Sequence, residues 1–228
     1  MQSDMLIIED LMLLMLDDKT GVPAGAGTLY YTLGGAVLLE LALLDRIEAD
    51  EGPALNGPKI TTVGDGPLAD PLLQSAYDKI AEKTQRVQPL LNAVGSGLYQ
   101  PVIERLLERG HLRQERRRVL GLFPTTRLPA EDNGYEAELR RKVCAVLEDG
   151  GSPDPHLGAV IALLSASGTL PTLDPAPKWS SRTYHRAKEL EQGSWAAGAV
   201  NDAVARTVAA IAAGSAAVSI ATITGPSS

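Results

Sequence analysis

The residues best suited to chemistry in this chain are arginines. Arg105, Arg109, Arg113, Arg116, Arg117, Arg118 and Arg127 place seven of the 21 basic residues between positions 105 and 127, in a chain whose formal net charge is -7. Only Glu104, Glu108 and Glu115 oppose them there. A guanidinium is a permanently charged planar fork that matches phosphate oxygens two at a time, so the chemistry on offer is anion recognition rather than bond making. Apolar Leu120, Leu122 and Phe123 lie among these arginines, ahead of the turn-prone Pro124-Thr125-Thr126. The strand-like run 119–123 and this turn chemistry predict a β-hairpin over residues 112–128 with a greasy tip and cationic flanks. Inserted at an anionic phospholipid surface, Arg116, Arg117, Arg118 and Arg127 would meet lipid phosphates at about 1 kcal/mol each, and Leu120, Leu122 and Phe123 would add apolar burial.

The same residues fit other roles. The tip could pack on the protein's own core with the arginines solvated, or on a second copy or another protein partner. A helix, Gly110 and an arginine-bearing hairpin also make the outline of a winged-helix unit that holds DNA through its wing. The acidic chain and the lack of a basic recognition helix argue against nucleic acid. Catalysis finds no support. His111, His156 and His185 are far apart in sequence, no His-x-x-x-His pair offers a metal site, and no Gly-x-Ser-x-Gly or phosphate-binding glycine loop occurs. No cofactor or metal is expected. Gly64-Asp65-Gly66 and Gly95-Ser96-Gly97 read as turns, and Asp17-Asp18, Asp149 and Asp154 as helix ends meeting solvent. Cys144 is the one cysteine, so no internal disulfide exists; beside Val143 it reads as buried and inert. Trp179 and Trp195 read as packing groups, although Trp179, next to Lys178, could touch lipid if exposed.

Positioning such a hairpin requires a body, and composition says which kind. With 44% hydrophobic, 21% charged and only 4% aromatic residues over 228 positions, the core must be aliphatic and alanine-rich, which favours helix. The fold class expected is mainly α, a single globular domain over residues 1–228 with a buried central helix surrounded by helices and one or two β-hairpins. The central helix is residues 33–47: from Ala36 to Leu44 every side chain except Glu40 is apolar, which leaves no wet face. It is too short to span a bilayer. Residues 5–16 predict a covering helix, residues 28–32 a short extended piece, and residues 59–63 a strand. Asp70-Pro71 caps a helix reaching about Asn92, residues 102–109 form another ending at Gly110, and residues 136–149 a third. Asp154-Pro155 and Ser180 or Ser181 cap two more, and residues 196–213 form a last helix buried against the core. The N-terminus lacks the positive charge of a signal peptide, so a cytoplasmic protein is expected, one that could sit on the inner face of a membrane.

Taken in order, Ile7-Ile8-Glu9-Asp10-Leu11-Met12-Leu13-Leu14-Met15-Leu16-Asp17-Asp18, Leu38-Leu39-Glu40-Leu41-Ala42-Leu43 with Arg46, and Leu106-Leu107-Glu108-Arg109-Gly110-His111-Leu112 resemble the Golgi phosphoprotein 3 family. Asp154-Pro155-His156, the run from Val160 to Ser167, and Ala199-Val200-Asn201-Asp202-Ala203-Val204 extend the resemblance over nearly the whole chain. The alanine-rich, arginine-preferring composition suggests a bacterial relative. The resemblance implies a helical domain with hairpins, no enzymatic activity, and a peripheral membrane or adaptor protein that reads phosphatidylinositol 4-phosphate on the Golgi and, in eukaryotic members, holds glycosyltransferase tails. It also implies that residues 115–126 are the membrane-contacting hairpin, through which some relatives self-associate. The family's headgroup arginine before the core helix falls on Gly34, its tryptophan near Gly25, and its two later arginines on Ser96 and Tyr99. All three cations are therefore missing here, which leaves a phosphomonoester without its charge-assisted donors.

Overall fold

Because the central apolar run offers no polar face, the only stable place for it is inside other elements. A computed structural model describes residues 5–17, 20–50, 57–119, 123–129, 134–196, 200 and 202–223, with backbone alone at 116–119, 123–127, 202 and 217–223. In chain order the elements are α1 (Ile7–Met15), α2 (Leu29–Leu43), β1 (Ile47–Ala49), β2 (Lys59–Thr62), α3 (Pro71–Glu82), β3 (Gln85–Arg86), α4 (Val87–Gly95) and α5 (Tyr99–Glu108). Then follow β4 (Glu115–Val119), β5 (Phe123–Arg127), α6 (Tyr135–Asp149), α7 (Pro155–Ala166), α8 (Ser181–Glu191) and α9 (Asp202–Ile223). The protein is a single, mainly α globular domain. Helix α2 runs through its centre, touched by α1, α3, α4, α7 and α9. Leu33, Ala36, Val37, Leu38, Leu39, Leu41 and Ala42 are all buried. Among the described residues, no helix is long and apolar enough to cross a membrane.

Local chemistry explains most of the boundaries. Asp70 accepts from Leu72 N at 2.9 Å, Asp154 from Leu157 N at 2.9 Å and Ser180 from Thr183 N at 3.1 Å, each satisfying an orphan donor at a helix start. Gly110, at φ 70°, turns the chain out of α5 as a residue after a helix must. Strands β1, β2 and β3 form a small antiparallel sheet in that order, and β4 and β5 form a separate antiparallel ribbon.

Several expectations about the elements need correction. Residues 29–32 are the first turn of α2 and not extended, because Leu29 and Leu33 continue the buried face and packing overrides the β-branched and aromatic content. The helix expected to run from Asp70 to Asn92 breaks in two. Lys83 is extended, Gln85 and Arg86 pair with Ile60 and Lys59, and Pro89 falls in the first turn of α4, where its missing N–H costs nothing. The last helix begins at Asp202 and not near Ala196. Glu9 and Asp10 of α1 go into the core, with 0% and 2% of their surface exposed.

Candidate functional site

The hairpin is built by its register. Glu115 pairs with Arg127, Arg116 with Thr126, Arg117 with Thr125, Arg118 with Pro124 and Val119 with Phe123. Directly opposed residues of an antiparallel pair share a face, and neighbours along a strand alternate. Positions 116 and 118 therefore share one face with 124 and 126, while 117 and 127 share the other with 115, 119, 123 and 125. The four arginines divide two and two. Leu120 and Leu122 lie outside the described residues. At the base of the ribbon, Arg113 N donates to Pro129 O at 3.1 Å and the Arg113 side chain pairs with Glu115 at 3.0 Å. Among the described residues, the main contact of β4 and β5 is with each other.

The buried pair Glu9 and Asp10 ties the helices on either side of the ribbon, α5 and α6, to α1. Glu9 Oε1 takes Arg105 Nε and Arg109 Nε, each at 3.2 Å, and its Oε2 accepts from Leu6 N at 2.9 Å. Arg105 reaches on to Asp70 at 2.7 Å. Burial pushes Asp70 upward, but the hydrogen bond and charge of Arg105 outweigh it and hold the carboxyl below its ordinary range. On the far side of the ribbon, Tyr135 donates to Asp10 Oδ1 at 2.7 Å and its ring lies 4.8 Å from that of His111. His156 Nε2 meets Asp10 Oδ2 at 2.9 Å. Burial, then the Asp10 charge and hydrogen bond, drive the Tyr135 phenol up, so it stays a donor. Glu40 of the central helix accepts from Ile7 N at 2.7 Å, and burial raises its carboxyl.

This arrangement revises two readings. The seven arginines are not one cationic patch: Arg105, Arg109 and Arg113 are engaged by the protein's own carboxylates, and the side chains of Arg116, Arg117, Arg118 and Arg127 lie outside the described residues. And His111 and His156, distant in sequence, both converge on the Tyr135–Asp10 pair, whereas His185 is exposed on α8. Nothing in the sequence around Glu9 and Asp10 signalled this, since their partners lie 96, 125 and 146 positions away.

The His156 contact makes stability depend on pH. Burial alone would lower the imidazole, but the hydrogen bond and charge of Asp10, with Glu40 and Asp154, raise it above 6.5. A histidine raised on folding contributes fully below its unfolded value and loses that contribution as pH climbs through the folded value. His156→Gln is therefore expected to cost about 1 kcal/mol at pH 5.5, a charged hydrogen bond discounted for partial exposure, with the gap narrowing toward pH 8.5. Urea unfolding of both proteins at the two pH values checks this, and a gap that widens with pH contradicts it.

The positions aligned with the family's headgroup residues can now be placed. Gly34 and Gly95 meet where α2 crosses α4, and a Cβ on Gly34 would lie 2.2 Å from the Leu91 carbonyl oxygen. No side chain fits at 34. Ser96, the next residue after that crossing, is exposed and donates to Asn92 O at 2.7 Å; Tyr99 is half-buried at the start of α5, where burial raises its phenol. Gly25 sits in a turn at φ 65°. Gly34 thus meets Gly95, the residue before Ser96, and none of Gly34, Ser96 and Tyr99 is itself a cation.

A model of the Golgi phosphoprotein 3 (GPP34) family matches residues 7–207. The chain belongs to the Golgi phosphoprotein 3 family. No curated protein matches it. In this member of the Golgi phosphoprotein 3 family the match runs from the first residue of α1 into α9, so it includes both the buried acidic pair and the ribbon. Membership supports a lipid-binding or adaptor role in general terms. Cys144 is half-buried and not buried as its neighbours suggested; burial and then Glu148 push its thiol up, which keeps it protonated. Trp195 is buried as expected, but Trp179 is 44% exposed.

Proposed function

We propose that this Golgi phosphoprotein 3 family member is a non-catalytic peripheral membrane protein that docks on anionic phospholipid through the β4–β5 ribbon. One observation carries the reading: β4 and β5 form a two-stranded ribbon bearing four arginines whose main contact, among the described residues, is between its own strands, while Arg105, Arg109 and Arg113 ahead of it are engaged by Glu9, Asp70 and Glu115. With two arginines on each face, the ribbon meets a surface best end-on, where Leu120, Leu122 and Phe123 would lead and both pairs would stay within a Debye length of lipid phosphate. Selectivity then comes from charge and not from a headgroup pocket, because Gly34 has no room for the cation that phosphate capture needs. Phosphatidylinositol 4-phosphate is bound no better than charge-matched phosphatidylserine.

Vesicle sedimentation tests this. The protein is expected to pellet with phosphatidylcholine vesicles containing phosphatidylserine, and not with phosphatidylcholine alone. Arg116→Gln with Arg118→Gln removes two charges at about 1 kcal/mol each, or roughly 30-fold in affinity. Binding indifferent to anionic lipid, or to this pair, refutes the reading. A preference for phosphatidylinositol 4-phosphate over charge-matched phosphatidylserine refutes the charge-only selectivity.

A second reading has its own support. Among the described residues β4 and β5 form a sheet of two strands, whose outer edges a second copy or a partner segment could extend by strand addition. A concentration-dependent rise in mass that Phe123→Pro abolishes would favour it.

A further inference from the structure

We propose that a second lipid contact lies at the start of α8, in a groove framed by Trp179 and Tyr184 that takes the interfacial layer of an anionic bilayer. The proposal rests on the reading above that the protein docks on such a surface. Between Pro175 and Lys188 the chain carries Lys178, Arg182, Arg186 and Lys188 and no acidic residue, although acids outnumber bases 28 to 21 overall. Arg186 and Lys188 are engaged by Glu189 and Glu191, at 3.2 and 2.7 Å. Lys178 and Arg182 are exposed, and Arg182 donates to the Asp149 carbonyl at 3.4 Å.

The local fold explains why the two rings are neighbours. Ser180 caps α8, so Trp179 precedes the cap and Tyr184 is the fourth helical residue, the two positions that commonly close over a helix start as an apolar pair. That pairing accounts for their proximity but not for their exposure. Trp179 is 44% and Tyr184 53% exposed, in a chain with only two tryptophans and six tyrosines. Together with Leu170, Pro171, Ala187 and Lys188 they line a groove of about 440 Å³. Tryptophan and tyrosine offer an apolar body and a polar tip, which suits them to the headgroup boundary, and the adjacent cations complement lipid phosphate.

The chain carries its own probe, because its other tryptophan, Trp195, is buried. On adding phosphatidylcholine vesicles containing phosphatidylserine and a brominated lipid, Trp179 emission is expected to move to shorter wavelength and to be quenched. Trp179→Phe should abolish that response. Trp179→Ala with Tyr184→Ala should weaken sedimentation about tenfold, equivalent to losing roughly 55 Å² of apolar contact. Lys178→Glu with Arg182→Glu, two changes at exposed positions, should weaken it by a similar factor without disturbing the far-ultraviolet circular dichroism. If the native protein sediments while Trp179 emission is unchanged and both pairs bind like wild type, the groove inference is overturned and docking through the ribbon stands; a groove for a protein partner would then be the better account. If the native protein does not sediment at all, both fail together.

Discussion

Gly95→Ala is expected to be the most damaging glycine-to-alanine change among the described residues. A Cβ at that position would lie 1.7 Å from the Tyr30 carbonyl oxygen and 2.8 Å from Gly34 N, and both obstacles are backbone of the central helix. A flexible side chain could swing aside; a helix backbone cannot. Relief requires α4 to move away from α2 by more than an ångström, which opens the contacts that Leu90, Leu91 and Val94, all buried, make beneath it. Overpacking in a core usually costs 1–3 kcal/mol, and with backbone on both sides of the clash we expect about 3 kcal/mol or more. Against a total stability of roughly 5–15 kcal/mol this is enough to lower yield and shift the urea midpoint sharply. Gly97→Ala is the comparison: that glycine has open space around it and only a φ of 84° to lose, so about 1 kcal/mol is expected. Equal midpoints for the two variants would mean that α2 and α4 do not cross as closely as described.

The same crossing shows how far the sequence could be read. The central helix was visible because eight of the nine residues from Ala36 to Leu44 are apolar, a pattern that only burial on all sides explains. Capping residues were visible too, since Asp70-Pro71, Asp154-Pro155 and Ser180 act over three or four positions. The break between α3 and α4 was missed although Pro89 announced it; an apolar face continued through the break and concealed it. What remained invisible acts over long separations. The approach of Gly34 to Gly95 and the partners of Glu9 and Asp10 depend on how helices dock, and no local pattern records that. For the site, the hairpin and its arginines could be read directly, but which of them are free for a ligand could not. Three of seven are engaged by the protein's own carboxylates, and Trp179, just ahead of α8, reads in sequence as a packing group but is exposed.

Glu9→Ala tests that division of the arginines. The carboxylate is fully buried, holds Arg105 and Arg109, and caps the start of α1 through Leu6 N. Removing it takes one partner from each of two guanidinium groups and the acceptor from one backbone donor. Breaking a buried pair costs about 3–5 kcal/mol when the survivor stays buried, but Arg105 keeps Asp70 and both arginine side chains retain 21% and 35% exposure, so we expect about 3 kcal/mol. Glu9→Gln keeps an acceptor for Leu6 N and loses only the charge, and should cost roughly half as much. Urea unfolding at pH 7 measures both, and a loss under 1 kcal/mol for Glu9→Ala would show that the arginines draw their hold from elsewhere. The two variants also separate architecture from docking. If Glu9 serves by fixing the ribbon's root, the folded Glu9→Gln protein should bind anionic vesicles no more weakly than wild type, because the charge it releases on Arg105 and Arg109 adds to the surface's attraction. A folded Glu9→Gln protein that loses vesicle binding would instead mean that the orientation set by this buried carboxylate, and not the number of cations, decides whether the ribbon can reach the membrane.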